Sequence, residues 1–317
     1  MHGHDLAELD GGPIHHESSI WSLLEEAHDK DPEKLAIAAM HQPPTHLEDL
    51  AGQGSRPDTQ HLAWSYSQLM RGAYRIASAL EACGVSRQST LVTFLPNSAE
   101  WCLLLWAAAL MKLTFVPLDR GMLSEARSDE LEYLIQTLKP AAIVVFDKAG
   151  AEIIDQTQQR TSTSSKIRWC IDTGSVRLPP LWTSLSSART GSPARSRDYS
   201  VPCSEVEMQR TAAIIFTSGT STGRPKGCPH TEKALVTFML ANPVHGLDRD
   251  CTSIVQSANF RAICLSLTLT TWSVGATAVM SGDTFEPETI LNALDTYERS
   301  LMICVPTKVH AIRADPT

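Results

Sequence analysis

Apolar residues recur along this chain at two alternating periods. Between Ile20 and His28 they fall at positions 20, 21, 23, 24 and 27, and from Ser67 to Cys83 at Leu69, Ala73, Ile76, Ala77 and Leu80, the spacing of amphipathic helices. Gly84 stops the second of these. Leu91 to Leu95 is a short apolar run ended by Pro96-Asn97 and reads as a strand. A mostly apolar helix over Ala99 to Lys112, a strand over Phe115 to Leu118, a helix over Leu131 to Leu138 and a strand over Ala141 to Phe146 follow. Farther on, strands at Thr211 to Phe216, Ser253 to Gln256, Ala276 to Met280 and Leu301 to Val305 alternate with helices at Thr231 to Leu240, Phe260 to Trp272 and Pro287 to Tyr297, and Pro306-Thr307 opens a last one. This alternation predicts an α/β fold of layered, mainly parallel sheets with flanking helices.

The pattern fades at both the start and the middle. Residues 1–19 have no apolar core and are expected to form a frayed tail rather than a secretory signal, with His2, His4, His15 and His16 solvated. From 161 to 205 the composition turns to Ser, Thr, Arg, Gly and Pro, most strongly at 186–200. That stretch is expected to be a linker or loop between a first α/β subdomain at 20–160 and a second at 206–317.

Composition narrows the class. Of the 317 residues, 43% are hydrophobic and 20% charged, as in ordinary globular proteins, and the formal net charge of −8 argues against a nucleic-acid partner. Eight cysteines, at 83, 102, 170, 203, 228, 251, 264 and 304, include no C-x-x-C pair, so reduced thiols and a cytoplasmic setting are the expectation. Trp101 to Met111 is too short to span a membrane, and Ala262 to Met280 carries six hydroxyl side chains, so no membrane span is expected.

The chemistry concentrates in Thr217-Ser218-Gly219-Thr220-Ser221-Thr222-Gly223-Arg224-Pro225-Lys226-Gly227. Glycines let backbone N–H groups turn inward, Thr217, Ser218, Thr220, Ser221 and Thr222 add hydroxyl donors, and Lys226 adds a compact positive charge. A strand feeding such a loop is where α/β proteins hold phosphates, so a nucleotide is the expected ligand. The spacing is not that of a P-loop, in which Lys-Ser or Lys-Thr follows the second glycine.

The order Thr-Gly, any residue, Pro-Lys-Gly resembles instead the nucleotide loop of the adenylate-forming superfamily, which includes acyl-CoA synthetases, luciferases and the adenylation domains of non-ribosomal peptide synthetases. Here the loop carries one extra residue, Ser221 or its neighbour. Glu232 stands where the family has a histidine six residues after the lysine, with His230 nearby. The resemblance extends over about residues 20 to 315, through Leu95 to Ser98, Pro117 to Asp119, Gly275 to Thr277, Phe285 to Glu288 and Val305 to Thr307.

The resemblance implies ATP-dependent activation of a small carboxylic acid as an acyl adenylate, Mg²⁺ at the phosphates, and capture by the thiol of coenzyme A or of a phosphopantetheinyl carrier protein. It implies that Thr217, Ser218, Gly219, Thr220, Ser221, Thr222, Gly223 and Lys226 bind phosphate. Asn259 and Phe260 would line the acid pocket, where the lack of an aspartate favours an aryl or fatty acid over an amino acid. The family's Tyr-Gly-x-Thr-Glu and Thr-Gly-Asp segments and its lid lysine do not follow Thr317, and Ser281-Gly282-Asp283 reads as a plain turn. No catalytic residue and no metal ligand is therefore assigned. Two expectations stand together: an incomplete acid-activating enzyme that needs a separate C-terminal half, or a non-catalytic remnant that at most binds nucleotide weakly or a partner protein.

Overall fold

A computed structural model describes residues 18–52, 59–171, 177–187, 204–217, 223–241, 244–282 and 285–314. The N-terminal tail, most of the 186–200 run and Ser218 to Thr222 of the nucleotide loop lie outside the described residues.

The strands form two sheets, and the chain visits them in a nested order. It opens in the smaller sheet with β1 (Leu35–Ala39) and β2 (Leu62–Ser65). It then builds the larger sheet from β3 (Thr90–Phe94), β4 (Thr114–Pro117), β5 (Ala142–Val145), β6 (Ile167–Cys170), β7 (Thr183–Ser184), β8 (Thr211–Thr217) and β9 (Lys226–Thr231). Finally it returns to the smaller one with β10 (Thr252–Val255), β11 (Thr277–Met280) and β12 (Ser300–Leu301). The orders are β12-β10-β11-β1-β2 and β7-β6-β5-β3-β4-β8-β9. Pairing is parallel except for the antiparallel pairs β1–β2 and β8–β9. The composition change at 161–205 therefore does not divide the sheets, because β8 pairs with β4 across it and β11 pairs with β1.

Helices fill the space between and outside the sheets. They are α1 (Ile20–Lys30), α2 (Glu48–Ala51), α3 (Tyr66–Ala82), α4 (Ala99–Met111), α5 (Ser128–Leu138), α6 (Lys148–Thr161), α7 (Glu205–Met208), α8 (Glu232–Ala241), α9 (Ala262–Ser273), α10 (Pro287–Thr296) and α11 (Pro306–Ala314). Helices α1, α3, α4 and α9 pack in one core with side chains from both sheets, including Ile37, Leu91 and Phe115. Outside, α5 and α6 cover the far face of the larger sheet, and α10 covers that of the smaller one.

Because α4 lies between two sheets, all thirteen of its residues are buried, which explains an apolar run with no polar stripe. Trp106 on α4 meets Trp21 and Trp272 edge-on, with ring centres 6.1 and 5.6 Å apart. Such pairs add about 0.5–1.5 kcal/mol each beyond area burial. Two of the buried rings have their polar ends answered, Trp272 Nε1 by the Ala36 carbonyl at 3.1 Å and the Tyr66 hydroxyl by that of Ala276 at 2.7 Å, whereas the indole N–H groups of Trp21 and Trp106 have no hydrogen-bond partner among the described residues.

Several expected elements shift. The strand expected at Leu301 to Val305 pairs only over Ser300–Leu301, since the Ile303 carbonyl accepts from the Gln256 side chain instead of a strand and Pro306 starts α11. Helix α9 begins at Ala262 rather than Phe260, and β9 takes in the end of the expected loop and runs to Thr231, where the helix was expected to begin. Strands β1, β2 and β6 and helix α6 were not foreseen.

Candidate functional site

Parallel strands direct their C-terminal ends to one rim, where α/β sheets bind ligands. Leu118-Asp119 follows β4 there, Thr217 ends β8, Leu95 to Asn97 follow β3, and Gln256 to Arg261 follow β10. Two adjoining cavities open at this rim. One, of about 470 Å³, is walled by Leu118, Arg127, Thr217, Pro225, Phe260 and Arg261 among others. The second, of about 570 Å³, is walled by Leu95, Asn97, Arg120, Ala258, Asn259 and Phe260. Asp119 and Phe260 line both, so the two form one cleft.

The nucleotide loop is held by the β8–β9 hairpin, in which Thr217 pairs with Lys226 and Phe216 with Gly227. Thr217 Oγ1 donates to the Lys226 carbonyl at 3.4 Å. Gly223 has φ +71°, a left-handed conformation that disfavours any side chain, and among the described residues no atom lies within 4 Å of where a Cβ would stand. Gly227 is constrained for another reason, since a Cβ there would meet Ile214 Cγ2 and Phe216 Cζ at 3.1 Å. Arg224 crosses to α5 and lies 5.1 Å from the centre of the Tyr133 ring.

Asp119 organises the lip of the cleft. Its carboxylate accepts from Gly121 N–H at 2.9 Å and from Arg127 Nη1 at 3.1 Å, while Arg127 Nε reaches Glu130 at 2.8 Å. The hydrogen bond that Arg127 donates to Glu130, and after it the one to Asp119, hold its guanidinium above its ordinary range against partial burial. Arg120 lies 3.7 Å from Asp147 and 4.3 Å above the Phe146 ring. Asp119 was quoted only as part of a sequence motif, and nothing in the spacing foretold Arg127 or Arg261 at the cleft.

The residues expected to bind the acid are found at the cleft with different duties. Asn259 is 2% exposed and its Nδ2 donates to the Leu95 carbonyl at 2.6 Å, so its amide donor ties backbone while the residue lines the second cavity. Phe260 forms the wall shared by the two cavities. Asn97, expected only to end a strand, is buried at the same rim and donates to Ser257 and Val255 carbonyls at 2.7 and 3.3 Å.

Glu232 is buried, not at the cleft. One carboxylate oxygen accepts from Ile20 N–H at 2.7 Å and the other from Arg210. Burial pushes this carboxyl up, and Arg210 offsets only part of that.

Residues 25–317 match the family of AMP-binding enzymes. The chain belongs to that family. Among curated AMP-binding enzymes, it is 28% identical to an acyl–CoA ligase of Pestalotiopsis microspora over 97% of this chain and 54% of that one. It is also 28% identical to the salicyl-AMP ligase / salicyl-S-ArCP synthetase of Mycobacterium tuberculosis, over 90% of this chain and 46% of that one. The chain thus spans about half the length of these relatives. The fold matches the luciferase-like enzyme of the mealworm Zophobas morio, with TM-score 0.75 and 18% identity over 98% of this chain and 65% of that one. It also matches ATP-bound MatB of Rhodopseudomonas palustris, with TM-score 0.70 and 21% identity over 94% and 52%. No helix among the described residues is long and apolar enough to cross a membrane.

Proposed function

We propose that this chain binds ATP and a carboxylic acid at the cleft between β4, β8 and β10, as part of an enzyme that activates the acid as its acyl adenylate. The observation that carries this reading is the β8–β9 hairpin, which pairs Lys226 with Thr217, a residue that lines the cleft, in a chain of the AMP-binding family. In such a reaction a carboxylate oxygen attacks the α-phosphorus of ATP and the bond to the β-phosphate oxygen breaks. Pyrophosphate leaves, and a thiol of coenzyme A or a phosphopantetheinyl carrier then takes the acyl group and releases AMP.

The residues fit a polyphosphate. Among the described residues nothing fills the side of Gly223 where other residues carry a side chain, the Thr217 hydroxyl can turn toward a phosphate, and Lys226, paired with Thr217 across the ladder, supplies an ammonium. Fixed donors of this kind stabilise charge growing on phosphate oxygens better than mobile water does. Lys226 would bind phosphate through its ammonium and not act as a base. Among the described residues no three His, Cys, Asp or Glu side chains converge on a metal site.

The second cavity, with Leu95, Ala258 and Phe260 in its wall, suits the body of an acid with an aryl or alkyl part. Calorimetric titration with ATP tests the reading: Lys226→Ala should weaken binding about tenfold or more, the worth of one charge-assisted contact. Equal ATP binding by wild type and Lys226→Ala, or none by either, overturns it.

A further inference from the structure

Among the described residues three arginines line the cleft, and their surroundings differ. Arg127 sits between Asp119 and Glu130, and Arg120 faces Asp147. Arg261 has no carboxylate partner among the described residues; its guanidinium lies 5.1 Å from the centre of the Phe260 ring. Stacking uses the flat face of a guanidinium and leaves the N–H donors in its plane for an oxyanion. The ring it rests on is the wall shared by the two cavities, and Arg261 itself lines the one that reaches Thr217 and Pro225.

We propose that Arg261, steadied by Phe260, is a specificity-determining residue that binds an oxyanion of the cleft's ligand, in the first place a second carboxylate carried by the acid substrate. The inference deepens the reading of the cleft as an acid and nucleotide site and rests on it. A monocarboxylate with an apolar body would leave this guanidinium hydrated, whereas a dicarboxylic acid would bring it a bidentate partner. Phosphate oxygens of the nucleotide are the other source of the same chemistry, since the nucleotide loop borders the same cavity.

The test is calorimetric titration of the 317-residue chain and of Arg261→Gln and Arg261→Lys with four probes: succinate, butyrate, ATP and inorganic pyrophosphate. Arg261 is exposed, so both variants should fold, which near-ultraviolet circular dichroism checks. Arg261→Gln should weaken succinate about tenfold to a hundredfold while butyrate and ATP change less than about twofold, with Arg261→Lys in between. A comparable loss confined to ATP and pyrophosphate would identify the oxyanion as phosphate and keep Arg261 as its reader. Equal behaviour of wild type and Arg261→Gln toward all four probes, absence of binding included, overturns the proposal. The Lys226→Ala titration with ATP fails or succeeds separately, so a wrong nucleotide site and a wrong role for Arg261 give different results.

Discussion

Asn97 and Asn259 reach across the gap between the two sheets in opposite directions. The Asn97 amide, just past β3, donates to carbonyls at the end of β10, and the Asn259 amide, just past β10, donates to the Leu95 carbonyl after β3. Both side chains are almost wholly buried, so the carbonyls they serve have no water to replace them. Asn97→Ala and Asn259→Ala should each cost about 1–3 kcal/mol, the penalty for leaving buried acceptors unpaired. The double variant should cost less than the sum, because once the sheets part at this rim the second tie holds little. Urea unfolding of the three variants measures both effects, and strict additivity would mean that the two ties act independently.

The legible parts of the sequence were those whose local pattern and final environment agree. Runs such as Leu91 to Leu95 and Ala141 to Phe146 are apolar because both faces of a central parallel strand are covered, and they stand out for that reason. Leu-Ala-Ile-Ala-Ala of β1 has no such signature, being alanine-rich, and it becomes a strand because β2 and β11 flank it. Lys-Gly-Cys-Pro-His-Thr of β9 is polar, with Gly and Pro at its centre, and is acceptable only as an edge strand on β8. At the cleft the loop was visible because glycines and hydroxyls cluster in sequence. Arg127 and Arg261 were not, since it is the sheet topology that brings residues so far apart to one rim.

Glu232 illustrates a departure from the family pattern with a structural cause. Where the family has a histidine, this carboxylate holds the first N–H of α1 and the Arg210 guanidinium inside the fold. Removing it should leave Arg210 as an uncompensated buried charge. Glu232→Ala should therefore cost about 3–5 kcal/mol, and trimming both partners should cost less than trimming Glu232 alone. Thermal melts of Glu232→Ala and of Glu232→Ala with Arg210→Met test this. A milder single variant would mean that water reaches Arg210.

The buried start of α4 should make stability depend on pH. Gln42 accepts from Ala99 N–H at 2.9 Å and donates to Glu100 at 2.8 Å, and His46 Nε2 pairs with the other Glu100 oxygen. Burial alone would raise the Glu100 carboxyl, but the hydrogen bonds from His46 and Gln42 outweigh it and hold it below its ordinary 4.5. Burial likewise works against charge on His46, and the bond to Glu100 outweighs it, lifting the imidazole above 6.5. Nearby His41 is pushed down, chiefly by its own burial, and Glu286 acts on it in the opposite sense. A depressed carboxyl stabilises above its unfolded value and loses that as pH falls through its folded one; a raised imidazole stabilises below 6.5 and loses that as pH rises through its folded value. The melting-temperature gap between wild type and His46→Ala should therefore be widest between the carboxylate range and about pH 6.5, and should narrow on both sides. A gap that is flat from pH 4 to pH 9 would remove the ion pair from the account.

The β8–β9 hairpin fixes where the nucleotide loop begins and ends, and its two described glycines should fail differently. Gly223 has a positive φ and, among the described residues, nothing near its missing Cβ, so a substitution there pays for backbone conformation alone. Gly223→Ala should cost about 1–2 kcal/mol, while Gly223→Asn, whose short polar side chain tolerates that region, should cost less. Gly227 does not have a positive φ and is constrained by contact with Ile214 and Phe216, the second being its partner across the ladder. Gly227→Ala should cost about 1–3 kcal/mol as overpacking. Because the clash is with a side chain, trimming that side chain should relieve it: Gly227→Ala should be less harmful in a Phe216→Leu background than in wild type, whereas Gly223→Ala should be equally harmful in both. A double-mutant cycle read by chemical denaturation decides, and equal costs for Gly227→Ala in the two backgrounds would show that the ladder itself, and not the Phe216 ring, demands glycine there.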